Sequence, residues 1–124
     1  MSLVMKKYRY NHKDYLVYER NLLAREFDAN EWQTICNNDL GVGVDFIIEI
    51  INTQIFAYDM YGAYDMYGQK IDLNQDLQLV IDYHEGILKD NNILAQFTRD
   101  IEVRFTNYYI NKLANLVTKK AYSA

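Results

Sequence analysis

The apolar residues of this chain repeat every second position in some segments and every third or fourth position in others. Residues 100–106 alternate strictly and place Ile101, Val103 and Phe105 on one face, which is the pattern of a half-buried strand. The longest apolar run, residues 46–51, is interrupted by a single carboxylate, and residues 44–51 are predicted to form a buried strand. The chain is therefore expected to combine strands with helices.

The first predicted helix begins at a capping sequence. Asp28 is followed three residues later by Glu31, a spacing at which each side chain can accept a hydrogen bond from the other residue's backbone N–H. The apolar repeat that follows predicts a helix that ends at Asn38 or Asp39. Gly41-Val42-Gly43 then forms a hinge into the buried strand. This hinge is not a phosphate-binding loop, because such loops lie between a strand and the following helix.

The rest of the pattern predicts two hairpins and a second helix. The predicted spans are strands 7–10 and 14–19 joined through residues 11–13, strands 44–51 and 54–58 joined through residues 52–53, and a helix over 75–90 in which Gly86 is a weak point and which Asn91-Asn92 would end. Residues 108–124 fit either a return strand or a helix.

The sequence YDMYG occurs twice, at residues 58–62 and 64–68. Two copies of this length are too short for a repeat architecture, so they predict turns. Asp59 and Asp65 could form a carboxylate pair for acid/base chemistry, but aspartate near glycine is more often a turn residue. The tyrosines of both copies form a binding platform if they are exposed, and part of the core if they pack on the helix 75–90.

Composition restricts the class of protein. Half of the 124 residues are apolar, which suits one compact domain over residues 1–124. A formal net charge of −4 with scattered lysine and arginine argues against a nucleic-acid partner. No apolar run reaches the length of a membrane helix, so no membrane partner is expected. Residues 1–4 look like an expression remnant and are left out of the predicted fold.

The candidate reactive residues have ordinary structural interpretations. Cys36 is the single cysteine, so it cannot form an internal disulfide or a thiolate zinc site, and it indicates a reducing, cytoplasmic compartment. It falls on the apolar side of the first helix, where a cysteine is usually a buried small hydrophobe. His12 and His84 would need to converge with carboxylates to bind a metal or act in catalysis. We expect no metal and no cofactor.

Three segments resemble the amino-terminal half of the diaminopimelate epimerases. The most specific is residues 32–51, where Cys36, Gly41, Gly43 and Asp45 are in register with a helix, a glycine hinge and an aliphatic strand of that family. The other two segments are Lys7-Tyr8-Arg9-Tyr10-Asn11-His12-Lys13-Asp14-Tyr15 and Arg99-Asp100-Ile101-Glu102-Val103. The resemblance implies a half-domain over residues 7–117 with an α+β fold, in which a curved, mostly antiparallel sheet wraps around a central helix.

The resemblance does not extend to the chemistry of the family. Its members use one cysteine from each half as an acid/base pair, the first within a C-G-N-G motif. This chain has no such motif, and the nearest segment is the YDMYG duplication, with Met66 or its neighbours in the place of the cysteine. A thioether cannot usefully give or accept a proton. We therefore expect a half-length homologue without catalytic residues.

By resemblance, the candidate substrate-binding residues are Lys13, Asp14, Tyr64 and Met66. Lys13 stands where the family has an asparagine. The expected function is a non-catalytic module that binds a small amino-acid-like ligand or a protein partner. The alternatives are a cofactor-independent amino-acid epimerase (an isomerase) assembled from two chains, and an unrelated small interaction protein.

The helix over residues 29–38 is expected to pack on the strand 44–51. The expected core residues are Trp32, Ile35, Val44, Phe46, Ile48 and Ile50. The other face of the strand carries Ile47, Glu49 and Ile51, and Glu49 predicts that this face is only partly covered. A homodimer or larger assembly is also expected, because a lone half-domain keeps a large apolar face and monomers rarely expose such a face.

Overall fold

The computed structural model describes residues 3–20, 25–59, 62–65 and 71–122. Six strands and four helices occur in this part of the chain. The strands are β1 (Leu3–Tyr10), β2 (Lys13–Arg20), β3 (Phe46–Ile51), β4 (Gln54–Asp59), β5 (Gly62–Asp65) and β6 (Phe97–Phe105). The helices are α1 (Ala29–Cys36), α2 (Ile71–Glu85), α3 (Asn91–Leu94) and α4 (Asn107–Tyr122).

The strands form one six-stranded sheet in the order β5-β4-β3-β2-β1-β6. β2 and β3 are parallel, and every other neighbouring pair in the order is antiparallel. Two parallel strands need a crossover connection, and the segment containing α1 provides it. The α+β class and the mostly antiparallel sheet are therefore confirmed.

Helices cover both faces of the sheet. We call them the α2 face, on which α2 packs, and the α1 face, on which α1 and α4 pack. The sheet thus lies between helices, which corrects the expectation of a sheet wrapped around a single central helix. The core of the α2 face contains Tyr8, Tyr10, Tyr15, Val17, Phe46, Ile48, Ile50, Ala57, Leu77, Val80 and Ile81. The core of the α1 face contains Met5, Leu16, Tyr18, Phe27, Trp32, Ile35, Cys36, Val44, Ile47, Phe105 and Leu113.

Strand β3 is buried on both faces. Phe46, Ile48 and Ile50 belong to the core of the α2 face, whereas Ile47 belongs to that of the α1 face. All the predicted core residues are buried, but Val44 belongs to the core of the α1 face and not, as predicted, to the face of Phe46, Ile48 and Ile50. The prediction of partial cover around Glu49 was also wrong, because Glu49 is 3% exposed. A strand with a parallel neighbour and helices on both sides loses contact with water on both faces.

The first hairpin and the first helix agree with the sequence. β1 and β2 are joined by Asn11 and His12, which both have positive φ angles (52° and 65°), as a two-residue hairpin turn requires. Asp28 and Glu31 form the predicted capping box at the start of α1. The helix ends at Cys36, two residues before the nearer predicted end. β1 also includes Leu3 and Val4, which pair with β6 and therefore belong to the fold.

The helices of the carboxyl-terminal half differ from the prediction, and α2 begins at Ile71, four residues before the predicted start. α2 ends at Glu85, because Gly86 adopts a φ of 75° and the backbone N–H of Ile87 donates to the carbonyl oxygen of Asp82 (3.0 Å), as in a Schellman motif. Asn91-Asn92 begins the short helix α3 instead of ending a helix. The undecided carboxyl-terminal segment forms α4 up to residue 122, and its first turn is capped by Thr106, whose hydroxyl accepts from the backbone N–H of Tyr109 (3.2 Å).

The YDMYG duplication contributes strand residues. Tyr58, which was also predicted to end the strand 54–58, lies in β4 with Asp59, and Gly62–Asp65 forms β5, so the prediction of turns was wrong for these residues. Residues 60, 61 and 66–68 of the two copies lie outside the described residues. The Tyr58 ring stacks on Trp32 of α1 (ring centroids 5.7 Å apart), so it packs on the opposite face from α2.

Candidate functional site

The two predicted ligand-binding residues at the start of β2 have partners within the fold. The Asp14 carboxylate accepts from Arg9 Nη1 at 3.1 Å and lies 3.5 Å from Arg99 Nη1. The ammonium of Lys13 lies 5.4 Å from the centre of the Phe46 ring. These contacts connect β2 with its neighbours β1 and β3 and with the edge strand β6, which gives both residues a structural role independent of any ligand.

The other two predicted residues lie in a different part of the sheet. Tyr64 belongs to β5, where it pairs with Ala57 of β4. β5 is separated from β2 by β4 and β3, which corresponds to about 14 Å across the sheet. Met66 lies outside the described residues, as does the Tyr64 side chain. The site composed of Lys13, Asp14, Tyr64 and Met66 therefore stays a prediction.

Two of the three segments that carry the family resemblance, residues 7–15 and 32–51, are in direct contact. The backbone N–H of Asp14 donates to the Asp45 carboxylate at 2.8 Å, and the backbone N–H of Asp45 donates to the carbonyl oxygen of Asp14 at 2.9 Å. Asp45 thereby connects the loop before β3 to the start of β2. Cys36, at the end of α1, is 2% exposed within the core of the α1 face.

Glu49 is a buried carboxyl group on the α1 face. Tyr58 donates to its Oε1 at 3.3 Å, and Arg20 Nε lies 3.7 Å from its Oε2. Burial raises the pKa of Glu49, and the Arg20 charge and the Tyr58 hydrogen bond oppose that rise. Burial is also the main reason that the pKa of Tyr58 rises to about 12. The sequence did contain a signal for this group, since Glu49 is the one charged residue in the apolar run of β3.

Three polar side-chain atoms on the α1 face are buried without a hydrogen-bond partner within the described residues. They are Glu49 Oε2, Trp32 Nε1 and Arg25 Nη1. A carboxyl with a raised pKa can act as an acid or base if a substrate reaches it. Trp32 is fully buried, and its ring lies 5.7 Å from the rings of both Tyr18 and Tyr58. Glu49 is itself only 3% exposed, so we assign it to the core.

A second polar network connects the α2 face to the end of α2. The Tyr8 hydroxyl lies 2.6 Å from His84 Nδ1, and His84 Nε2 lies 3.0 Å from a Glu19 carboxylate oxygen. Beside it, Asp100 accepts from Lys6 at 2.6 Å and from Tyr83 at 3.1 Å. This arrangement was not predicted from sequence, because its members come from four separate elements.

The outer edge of β6 is the most accessible part of the sheet among the described residues. β6 has nine residues and pairs on one side only, with β1. Residues 98–102 and Arg104 are exposed, and the exposed fraction of Ile101 is 47%. An edge strand presents backbone N–H and C=O groups that can pair with another strand. The opposite edge strand, β5, has four residues.

The described residues contain neither a metal-binding cluster nor a membrane-spanning helix. No group of three or more histidine, cysteine, aspartate or glutamate side chains in this part of the chain is arranged to hold a metal ion. None of the helices in the described ranges has the length and apolar composition needed to cross a membrane.

No protein-family model matches this chain, and no curated protein matches it in sequence.

Proposed function

We propose that this protein is a non-catalytic interaction module with a diaminopimelate-epimerase-like half-domain, and that it binds an extended strand of a protein partner along β6. The observation that carries the proposal is the accessible nine-residue edge of β6. Strand addition at such an edge obtains its affinity from backbone hydrogen bonds and its specificity from alternate side chains.

The contacts of the hinge residues support the family resemblance. Gly41 lies so close to the end of α1 that a Cβ atom would approach the Thr34 carbonyl oxygen to 2.5 Å. Gly43 has a φ of 75°, and Asp45 exchanges hydrogen bonds with the first matched segment. Each of these residues therefore has a structural reason to be glycine or aspartate at its position.

The surroundings of the single thiol support a non-catalytic role. Proton abstraction from a substrate requires the thiol to come within hydrogen-bond reach of the reacting carbon's proton. Cys36 is 2% exposed and packs with Ile35 and Trp32 in the core of the α1 face. Two copies of the chain would therefore bring together two buried thiols, which does not favour an epimerase assembled from two chains.

Solvent-deuterium exchange tests the absence of catalysis. We expect no deuterium incorporation above background at the α-carbon of diaminopimelate or of a panel of amino acids, measured by mass spectrometry. Incorporation that disappears in the Cys36→Ala variant would overturn the non-catalytic proposal.

A labelled peptide with the sequence of residues 97–106 tests strand addition at β6. We expect the fluorescence anisotropy of the peptide to rise when the protein is added. Ile101→Lys places a charge on the exposed edge and should abolish binding. Phe56→Lys is the matched control, because Phe56 is a similarly exposed apolar residue (39%) on the interior strand β4. If Ile101→Lys binds the peptide as the wild type does, β6 is not the binding edge.

A further inference from the structure

We infer that the strand added at β6 is β6 of a second copy of this chain, paired antiparallel about a two-fold axis at Val103. This inference rests on the proposed function and names its partner. Pairing at this edge would join two six-stranded sheets into one continuous sheet. The reasons are the symmetry of the pairing and the charge pattern of β6.

Symmetry restricts the registers that two copies of β6 can adopt. A two-fold axis perpendicular to the sheet makes the two strands antiparallel and keeps the α1 faces of both copies on the same side. From residue 99 to residue 105, the odd-numbered residues of β6 lie on the α1 face, since Val103 is opposite Met5 and Phe105 is opposite Leu3. Odd residues must therefore oppose odd residues, and one residue lies on the axis opposite itself.

Charge then selects among the possible axis residues. With Val103 on the axis, Glu102 lies opposite Arg104 of the second copy, and the reciprocal pair forms by symmetry. Ile101 lies opposite Phe105 of the second copy, so the apolar residues also face each other. Opposite charges in directly opposed positions stabilise strand pairs, and like charges destabilise them.

Each other central axis position brings like charges together. An axis at Ile101 would place Asp100 opposite Glu102 twice, and an axis at Asp100, Glu102 or Arg104 would place that residue opposite its own copy. With the axis at Val103, the strand residues that oppose each other are 101–105, so Asp100 has no strand residue of the second copy opposite it. The hydrogen bonds that Asp100 accepts from Lys6 and Tyr83 are then compatible with dimer formation.

The oligomeric state and the charge pairs provide the first test. Light scattering after size-exclusion chromatography should show a dimer at micromolar concentration. Glu102→Arg places two arginines opposite each other and should raise the dissociation constant of the dimer about tenfold. The double variant Glu102→Arg/Arg104→Glu restores opposite charges and should restore the dimer. Circular dichroism checks that each variant is folded.

Disulfide formation between introduced cysteines tests the register. Val103→Cys should give a cross-linked dimer rapidly under mild oxidation, because residues opposed across an axis have Cα atoms within disulfide range. Glu102→Cys and Ile101→Cys should cross-link slowly. In these variants, the introduced thiols of the two copies are two or more positions apart along the paired strands. The wild type is the background control, because Cys36 is buried. Thr53→Cys controls for random collision, because Thr53 is exposed in the turn between β3 and β4.

The outcomes separate this inference from the proposed function. If the protein is still a monomer at a concentration 100-fold above that of the light-scattering test but binds the peptide at β6, the self-pairing is overturned and strand addition stays in place. A dimer that cross-links fastest at Glu102→Cys or Ile101→Cys would overturn the register. A dimer unaffected by Ile101→Lys would overturn both the inference and the assignment of the edge.

Discussion

The hydroxyl of Tyr8 and Nδ1 of His84 are 2.6 Å apart, which connects the centre of β1 to the last turn of α2. Burial raises the pKa of the Tyr8 phenol, so it is neutral and donates its proton to the imidazole. Nδ1 then accepts, and the ring proton is on Nε2, which donates to Glu19 at 3.0 Å. One tautomer of His84 therefore satisfies both neighbours.

Tyr8→Phe removes this donor without changing the shape of the core. We expect a loss of about 1 kcal/mol in the free energy of unfolding, because Nδ1 loses its partner in a partly buried site. Urea denaturation measures the change, and Tyr108→Phe is the control, because Tyr108 is 71% exposed. The ¹⁵N shifts of His84 should also change in Tyr8→Phe, with His12 as an internal reference. Equal stability of Tyr8→Phe and wild type would show that the contact contributes little.

The ionisation of Glu49 should make the protein less stable as the pH rises. Its pKa is raised in the folded state, so between the unfolded and folded pKa values the folded chain binds more protons than the unfolded chain. The contribution of Glu49 to stability is thus largest below its unfolded pKa and decreases as the pH rises to its folded pKa. One proton limits this slope to about 1.4 kcal/mol per pH unit.

Glu49→Gln removes the ionisation and keeps an oxygen that can accept from Tyr58. We expect the difference in unfolding free energy between the variant and the wild type to increase in favour of the variant from pH 4 to pH 7. Urea denaturation at intervals of half a pH unit measures it. Glu26→Gln is the matched control, because Glu26 also pairs with Arg20 but is 77% exposed. A difference independent of pH in Glu49→Gln would contradict the raised pKa.

Gly41→Ala should be the most damaging glycine substitution within the hinge and the end of α2. Its Cβ would collide with the backbone carbonyl oxygens of Thr34 and Ile35, which the end of α1 holds in place. We expect a loss of about 3 kcal/mol in unfolding free energy. Gly86→Ala should cost about 1 kcal/mol, because it has open space around it and only a positive φ to accommodate. Thermal denaturation of the two variants side by side tests this order, and equal losses would contradict it.

Features with a local cause could be predicted from the sequence. The capping box of Asp28 and Glu31 needs residues three positions apart, and the turn at Asn11 and His12 depends on the conformations of two neighbours. The alternation in β6 predicted which residues share a face. The end of α2 also had a local signal in Gly86, although the spacing of the apolar residues predicts a helix up to residue 90.

The polar networks depended on contacts that the sequence does not display. Tyr8 and His84 are 76 positions apart, and Glu49 of β3 contacts Arg20 of β2 and Tyr58 of β4. A two-residue period indicates that Glu49 and Ile47 share a face, but it does not indicate what covers that face. The lone carboxylate therefore predicted exposure where the structure has burial.

The sequence by itself determined the positions of most strands, the positions of α1 and α2, and which residues of a regular strand share a face, because short-range backbone geometry and side-chain periodicity depend on neighbouring residues. Only the tertiary structure decided that β2 and β3 are parallel, that helices cover both faces and that β6 lies at the edge beside β1. Strand order depends on which apolar surfaces bury each other across long stretches of chain, and many orders satisfy the same local pattern. The accessible edge of β6, on which the proposed function depends, is a consequence of that order.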